Sequence, residues 1–214
     1  MTNDETTMKT GTTTIAIRCK DGIVLAADKR ATAGTMIANK WVDKIFAVED
    51  YMALTTAGTV SDVQLLVKLV KAELRLKRLR TGRNVSVKEA ANLLAGMVYS
   101  NIRKFSSIPG ISHFIFAGHD EEGFKIYDIY PDGSITEAED YLASGSGSVF
   151  AYGVLETLYK GTPNLDEGQA LALKAVNAAL QRDSASGNGV DVVLINHDGV
   201  KKVLTRKVEK GLEG

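Results

Sequence analysis

The sequence predicts an α+β layered fold in which strands and helices are segregated along the chain. Its elements run in the order strands, two helices, strands, two helices, strands, and this is not the strict alternation of a doubly wound parallel sheet. The chain has 214 residues, 44% of them hydrophobic and 24% charged, the balance of an ordinary globular protein. A domain of this size buries roughly 70% of the surface its unfolded chain exposes, so it needs no covalent staples. No repeat, linker or low-complexity tract divides it, so a single domain is expected.

Residues 12–20 (TTTIAIRCK) place Thr13, Ile15, Ile17 and Cys19 on one parity, the period of a strand. Asp21-Gly22 is a hairpin signal, and 23–28 (IVLAAD) reads as a continuous apolar strand. Residues 41–48 and 51–57 read as two more. The run 60–80 carries Val63, Leu66, Val67 and Val70 at helical spacing, with basic residues gathered near its C-terminal end, where the helix dipole favours them. Ser86 and Glu89 form a capping box for a second helix to about Phe105. Strands are expected again at 112–118 and 124–130, then at 134–138 after the Pro131-Asp132-Gly133 turn. Helices at about 149–160 and 165–182 follow. Strands near 190–196 and 200–206, joined at Asp198-Gly199, close the chain.

Lys plus Arg equals Asp plus Glu, at 26 each, so the charge balance suggests neither a nucleic-acid nor a membrane partner. Cys19 is the single cysteine and sits in an alternating apolar run, which suits a reducing compartment and a packed thiol. The first residues, MTNDETTMKTG, are polar and acidic, unlike a secretory signal. A cytoplasmic location is expected. His113, His119 and His197 lack metal-ligand spacing, and no metal is expected. There is no G-x-S-x-G elbow and no P-loop.

The chemistry-bearing candidates begin with Gly11-Thr12-Thr13-Thr14. Threonines favour strands and a glycine punctuates a strand start, so a purely structural reading exists. The sharper reading notes a short polar leader, then Gly11, then Thr12, then an apolar strand. A threonine made N-terminal by cleavage has a base in its own α-amino group. That amine has a pKa of about 7.7–8.0, against about 10.4 for lysine. Gly11 would permit the tight backbone that attack of Thr12 on its own preceding carbonyl needs. Lys44 shares parity with Val42, Phe46 and Val48, and a lysine on an apolar face either snorkels or needs a partner. Asp28, ending IVLAAD, is either a strand-end residue or that partner. Gly58 is either a turn residue or a source of a backbone N–H for a developing oxyanion. Ser144–Ser148 and Arg182–Gly187 (RDSASG) read as loops in their own right.

Taken in order, GTTT, AADKR, the lysine of VDKIF, TTAG, GSGS followed by FAYGVLE, and RDSASG resemble the β-type subunit of the 20S proteasome, most closely the single-type archaeal form. The resemblance spans Gly11 to about Val208. It implies the N-terminal-nucleophile hydrolase fold, with two antiparallel sheets stacked between helical layers. It implies that residues 1–11 are a propeptide and 12–214 the mature domain. By the same resemblance Thr12 is the nucleophile, Asp28 and Lys44 a buried pair beside it, and Gly58 the oxyanion-hole glycine. Ser146, Asp183 and Ser186 are the trio that fixes the free amine and its water. Ala31, Val42, Phe46 and Thr56, joined by Val60, line the primary specificity pocket, and Thr32 pairs its backbone with substrate. The mostly apolar lining implies cleavage after hydrophobic residues.

The resemblance further implies seven-membered β rings, flanking rings of α-type subunits, a regulatory ATPase cap, and unfolded polypeptide substrates degraded in an enclosed chamber. No cofactor is implied. The N-terminal helical extension expected of the α type is missing, and the segment Ser106–Gly110 looks longer than in some relatives. The runner-up is a non-catalytic structural subunit of the same particle, which loss of Thr12, Asp28 or Lys44 would have favoured. A small-molecule amidohydrolase and the bacterial two-component peptidase are disfavoured by RDSASG.

Overall fold

The computed structural model describes residues 11–107 and 109–208. The leader residues 1–10, and Ile108 in the segment that looks longer than in some relatives, lie outside the described residues. The elements are β1 (Thr14–Arg18), β2 (Ile23–Asp28), β3 (Ala31–Ala33), β4 (Met36–Asn39), β5 (Ile45–Glu49), β6 (Met52–Gly58), α1 (Val60–Thr81), α2 (Val87–Ile102), β7 (Ser112–Asp120), β8 (Gly123–Ile129), β9 (Ile135–Ala138), β10 (Tyr141–Ser144), α3 (Ser148–Leu158), α4 (Leu165–Arg182), β11 (Gly189–Asn196) and β12 (Gly199–Lys207). They build two five-stranded sheets, in the orders β10-β1-β2-β11-β12 and β5-β6-β7-β8-β9, with β3-β4 as a separate hairpin. All pairings are antiparallel.

Three apolar clusters mark three interfaces between four layers. One seats α1 and α2 on β5–β9, with Leu66, Val70, Leu94 and Val98 against Leu54, Phe114 and Phe116. A second seats α3 and α4 on the other sheet, with Leu155, Leu171 and Val176 against Ile15, Ile17 and Val24. The third lies between the sheets, where Ile23, Leu25 and Val193 meet Ile45, Ile115 and Ile126. This explains the continuous apolar run of β2. Val24 and Ala26 face the helices while Ile23, Leu25 and Ala27 face the other sheet, so both parities are dry. Cys19 joins the helix-side cluster. Burial, and after it the nearby Asp21 and Glu167, push its thiol up to about 12, which leaves it without thiolate character.

The capping box at α2 is present. Ser86 Oγ accepts from Glu89 N at 3.2 Å, and Glu89 Oε2 accepts from Ser86 N at 3.0 Å. Ser86→Ala is expected to cost about 1 kcal/mol and to lower a thermal midpoint by roughly 2–4 °C, measurable by calorimetry. A second box at Asn164 and Glu167 opens α4.

Several expectations need correction. The strand expected at 41–48 begins only at Ile45. Ahead of it, the Val42 amide leaves the ladder for the Lys29 carbonyl at 2.9 Å, and Asp43 and Lys44 turn to ion pairs. Helix α2 stops at Ile102 rather than near Phe105. There Arg103 lies over the Tyr99 ring and donates to the Asp132 carbonyl, tying the helix end to the β8–β9 turn. The short β3–β4 hairpin and β10 were not expected, since three- and four-residue strands carry too little periodicity to read.

Candidate active site

Strand β1 lies inside its sheet, between β10 and β2, and β10 pairs with it so that Thr14 faces Ser144. This register lays the 145–147 turn along Thr12. The Gly147 amide donates to the Thr12 carbonyl at 3.3 Å, and the Thr12 amide donates to Ser146 Oγ at 3.3 Å. The α4 C-cap residue Asp183 then takes two serines. Ser146 Oγ and Ser186 Oγ each donate to Asp183 Oδ2 at 2.6 Å. With the Ser186 proton committed to Asp183, Thr13 Oγ1 is the donor in its 2.7 Å contact with Ser186 Oγ. The sequence reading placed Thr13 only as a strand residue. Its hydroxyl is the link between the 183–186 loop and the start of β1.

Asp28 is fully buried at the end of β2. Each of its oxygens takes two donors. Oδ1 accepts from Thr13 N at 2.8 Å and Lys44 Nζ at 2.6 Å, and Oδ2 accepts from Arg30 N and Gly187 N, both at 3.0 Å. Lys44 is 5% exposed and is therefore no snorkelling edge residue. Burial pushes its ammonium below the usual lysine range, and Asp28 opposes that push. Lys44 Nζ also donates to the Gly11 carbonyl at 3.4 Å, and Thr12 Oγ1 donates to the same oxygen at 2.7 Å. The threonine hydroxyl, the lysine and the Gly11–Thr12 peptide thus converge on one atom.

A cleft opens beside this peptide, lined by Gly11, Thr12, Lys44 and Gly58 and by every residue that the resemblance assigned to substrate: Ala31, Thr32, Val42, Phe46, Thr56 and Val60. Asp43, Ala57, Val63 and Gln64 also line it and were not anticipated. Val63 and Gln64 come from the first turns of α1, which only the helix-on-sheet packing brings there. Thr32 Oγ1 accepts from the Gly11 amide at 2.9 Å, a side-chain contact rather than a backbone one.

Gly58 has φ of +123°, and a Cβ built there would lie 2.2 Å from the Ile111 carbonyl oxygen. Backbone geometry therefore demands glycine here, before any question of obstructing a ligand. At Gly11 the constraint is a close approach, since a Cβ would meet the Ala185 Cβ at 1.7 Å.

His113 bridges the two sheets, contacting Asp128 Oδ1 through Nε2 at 2.5 Å and Ser144 Oγ through Nδ1 at 2.8 Å, with Tyr130 stacked on its ring. The constellation has the residue types of a serine triad. Ser144, however, is 2% exposed within β10, so no substrate reaches it. Among the described residues no cluster of three or more His, Cys, Asp or Glu side chains could hold a metal. Among them, too, no helix is long and apolar enough to cross a membrane.

Two antiparallel sheets stacked between helix pairs, with a buried threonine just ahead of the interior strand β1, define an N-terminal-nucleophile hydrolase sandwich. The family model described as "Proteasome subunit" matches residues 8–195. The chain is 40% identical over 200 residues to a proteasome subunit beta of Methanococcus maripaludis strain C5, covering 93% of this chain and 90% of that one. It is 42% identical over 201 residues to a proteasome subunit beta of Methanocaldococcus fervens, covering 94% and 88%. Against that of Methanocaldococcus jannaschii it is 41% identical over 204 residues, covering 95% and 89%. The chain belongs to the proteasome subunit family, as a 20S proteasome β-type subunit.

Proposed function

We propose that this subunit is a threonine endopeptidase, made as a precursor and activated by removal of residues 1–11. The observation that supports this most directly is the convergence of Thr12 Oγ1 and Lys44 Nζ on the Gly11 carbonyl, at 2.7 and 3.4 Å. Lys44 polarises that carbonyl. Thr12 Oγ attacks its carbon, the Gly11–Thr12 C–N bond breaks, and the nitrogen takes the hydroxyl proton, leaving an ester. Water hydrolyses the ester, releasing residues 1–11 with a new carboxylate and restoring the Thr12 hydroxyl.

The freed α-amine then occupies the place of the Thr12 amide, beside Ser146 Oγ, and serves as general base. Lys44 holds a positive charge nearby, which lowers the amine's pKa and keeps a neutral fraction at working pH. Thr12 Oγ attacks a substrate peptide carbonyl, and the Gly58 N–H stabilises the oxyanion. The leaving amine takes the proton, and water then releases the acyl group. Ser146, Asp183 and Ser186 orient the amine and that water. Ala31, Val42, Phe46, Thr56 and Val60 receive an apolar side chain N-terminal to the cut, while Thr32 aligns the substrate.

On this reading the subunit sits in seven-membered β rings with α-type rings outside and a regulatory ATPase cap, in the cytoplasm. Unfolded polypeptides then reach Thr12 only inside the chamber.

Intact mass of the subunit in particles assembled with its α-type partner tests the proposal. Loss of residues 1–11, together with hydrolysis of peptides bearing an apolar residue before the cut, supports it. Full-length chains in assembled, inactive particles would put the structural-subunit reading ahead. Gly58→Ala is expected to lower kcat by about 10²-fold by turning the N–H away from the oxyanion, in a particle that still binds a peptide inhibitor lacking an electrophile.

A further inference from the structure

Two Asp-Lys dipeptides face each other at the edge of the site with their charges crossed. Asp28 ends β2 with Lys29 just after it, and Asp43-Lys44 precedes β5. Asp28 meets Lys44 at 2.6 Å inside the site. Lys29 meets Asp43, also at 2.6 Å, at the rim of the cleft that Asp43 helps to line. The first rung belongs to the reaction proposed above, and the second has no part in it.

The second rung is unusually well anchored. Lys29 is 2% exposed, and its ammonium also donates to Asp191 Oδ2 at 2.7 Å, on β11. Lys202 on β12 reaches Asp191 at 3.2 Å and Asp43 at 3.4 Å, and Thr205 donates to Asp191 Oδ1 at 2.7 Å. Burial alone would lower the Lys29 pKa. The hydrogen bonds to Asp191 and Asp43 outweigh it and raise that pKa, so the ammonium stays charged.

What Lys29 holds is a stretch of chain outside any strand. Residues 40–44 lie between β4 and β5. Lys29 touches three of them in succession by three different means. Its ammonium lies 4.8 Å from the centre of the Trp41 ring, its carbonyl accepts the Val42 amide at 2.9 Å, and its ammonium binds the Asp43 carboxylate. The next residue is Lys44. With no β-ladder to fix its position before Ile45, the Lys44 backbone is placed by these contacts on one side and by the Thr56 amide, which donates to its carbonyl at 2.9 Å, on the other.

We propose that Lys29 and Asp43 are positioning residues that hold the 41–44 segment so that Lys44 stands against Thr12, an inference that rests on the threonine-peptidase reading of the site. The cluster acts through Lys44 and does not touch the reacting atoms. A displacement of about 1 Å in a catalytic group can cost up to 10²-fold in rate, so a loosened segment has a measurable effect. It also has a direction. When the Lys44 ammonium moves away from the Thr12 α-amine, the amine loses a positive neighbour and its pKa rises.

The test uses assembled particles carrying Asp43→Ala, Asp43→Glu, Ser86→Ala or Thr12→Ala, followed from assembly through loss of residues 1–11, which the Thr12→Ala chains retain. Asp43 is more than half exposed, so its truncation leaves the fold intact. Asp43→Ala is expected to lower kcat by about 10-fold with a smaller change in KM, to move the acid limb of kcat/KM to higher pH, and to slow loss of residues 1–11. Asp43→Glu is expected to recover part of each. Ser86→Ala, a stability change far from the site, is expected to move neither kcat nor the acid limb. The proposal is overturned if Asp43→Ala keeps the wild-type kcat and pH profile, or if it lowers kcat with the acid limb unmoved. Wild-type particles that are inactive, or that hydrolyse no faster than Thr12→Ala, overturn the peptidase reading itself and this inference with it.

Discussion

Thr12→Ala is expected to leave residues 1–11 attached in assembled particles and to reduce peptide hydrolysis by about 10⁴-fold or more, the scale on which loss of a nucleophile acts. The substitution removes Oγ1, whose hydrogen bond among the described residues is to the Gly11 carbonyl at 2.7 Å. The structural contacts of the residue are made by its backbone, through the amide to Ser146 and the carbonyl from Gly147. Assembly should therefore be unaffected, which separates chemistry from folding. Thr12→Ser keeps the oxygen and is expected to lose the leader and to retain part of the activity. Intact mass reports the first effect, and hydrolysis of a peptide with an apolar residue before the cut reports the second. A Thr12→Ala subunit that still sheds residues 1–11 would sink self-processing.

Lys44→Ala is expected to abolish both steps, with at least about 10³-fold loss of hydrolysis, and to destabilise the subunit as well. Removing one partner of a buried ion pair costs about 3–5 kcal/mol because the other charge is left behind. Here Asp28 keeps three backbone N–H donors, from Thr13, Arg30 and Gly187, which places the cost toward the lower end. Lys44→Arg keeps the charge but puts a planar fork where a point charge fits between Asp28 and the Gly11 carbonyl. It is expected to recover stability more than rate. The pH profile gives an independent check. The ammonium is the active form and burial holds its pKa low, so activity should decline as pH rises through that pKa, while protonation of the Thr12 α-amine sets the separate acid limb. The alkaline limb should therefore appear below the usual lysine value of about 10.4. Urea unfolding measures the stability term, and kcat/KM against pH measures the rest.

Much of this protein was legible in the sequence because the relevant signals are local. The Ser86-Glu89 capping box, the Asp21-Gly22 and Asp198-Gly199 turns and the apolar spacing of α1 are each decided within a few residues, and each appears as read. So does the order of elements that made a layered α+β fold the expectation. The position of Thr12, after a glycine and before an apolar strand, makes it a candidate without reference to anything distant, and the resemblance gave it its role.

The tertiary structure alone decided what surrounds that threonine. Thr12 and Ser146 are 134 positions apart and meet only because β10, too short to be read from its own residues, pairs with β1. Lys44 was readable as a misplaced cation, but whether it snorkelled to solvent or turned inward depended on Asp28, which ends a strand of the other sheet. The second rung of Lys29, Asp43 and Asp191 left no trace in periodicity. Each of those residues is ordinary for its own segment, and the low dielectric around Lys29 and Asp191 that makes their pairing matter exists only once the chain has folded over them.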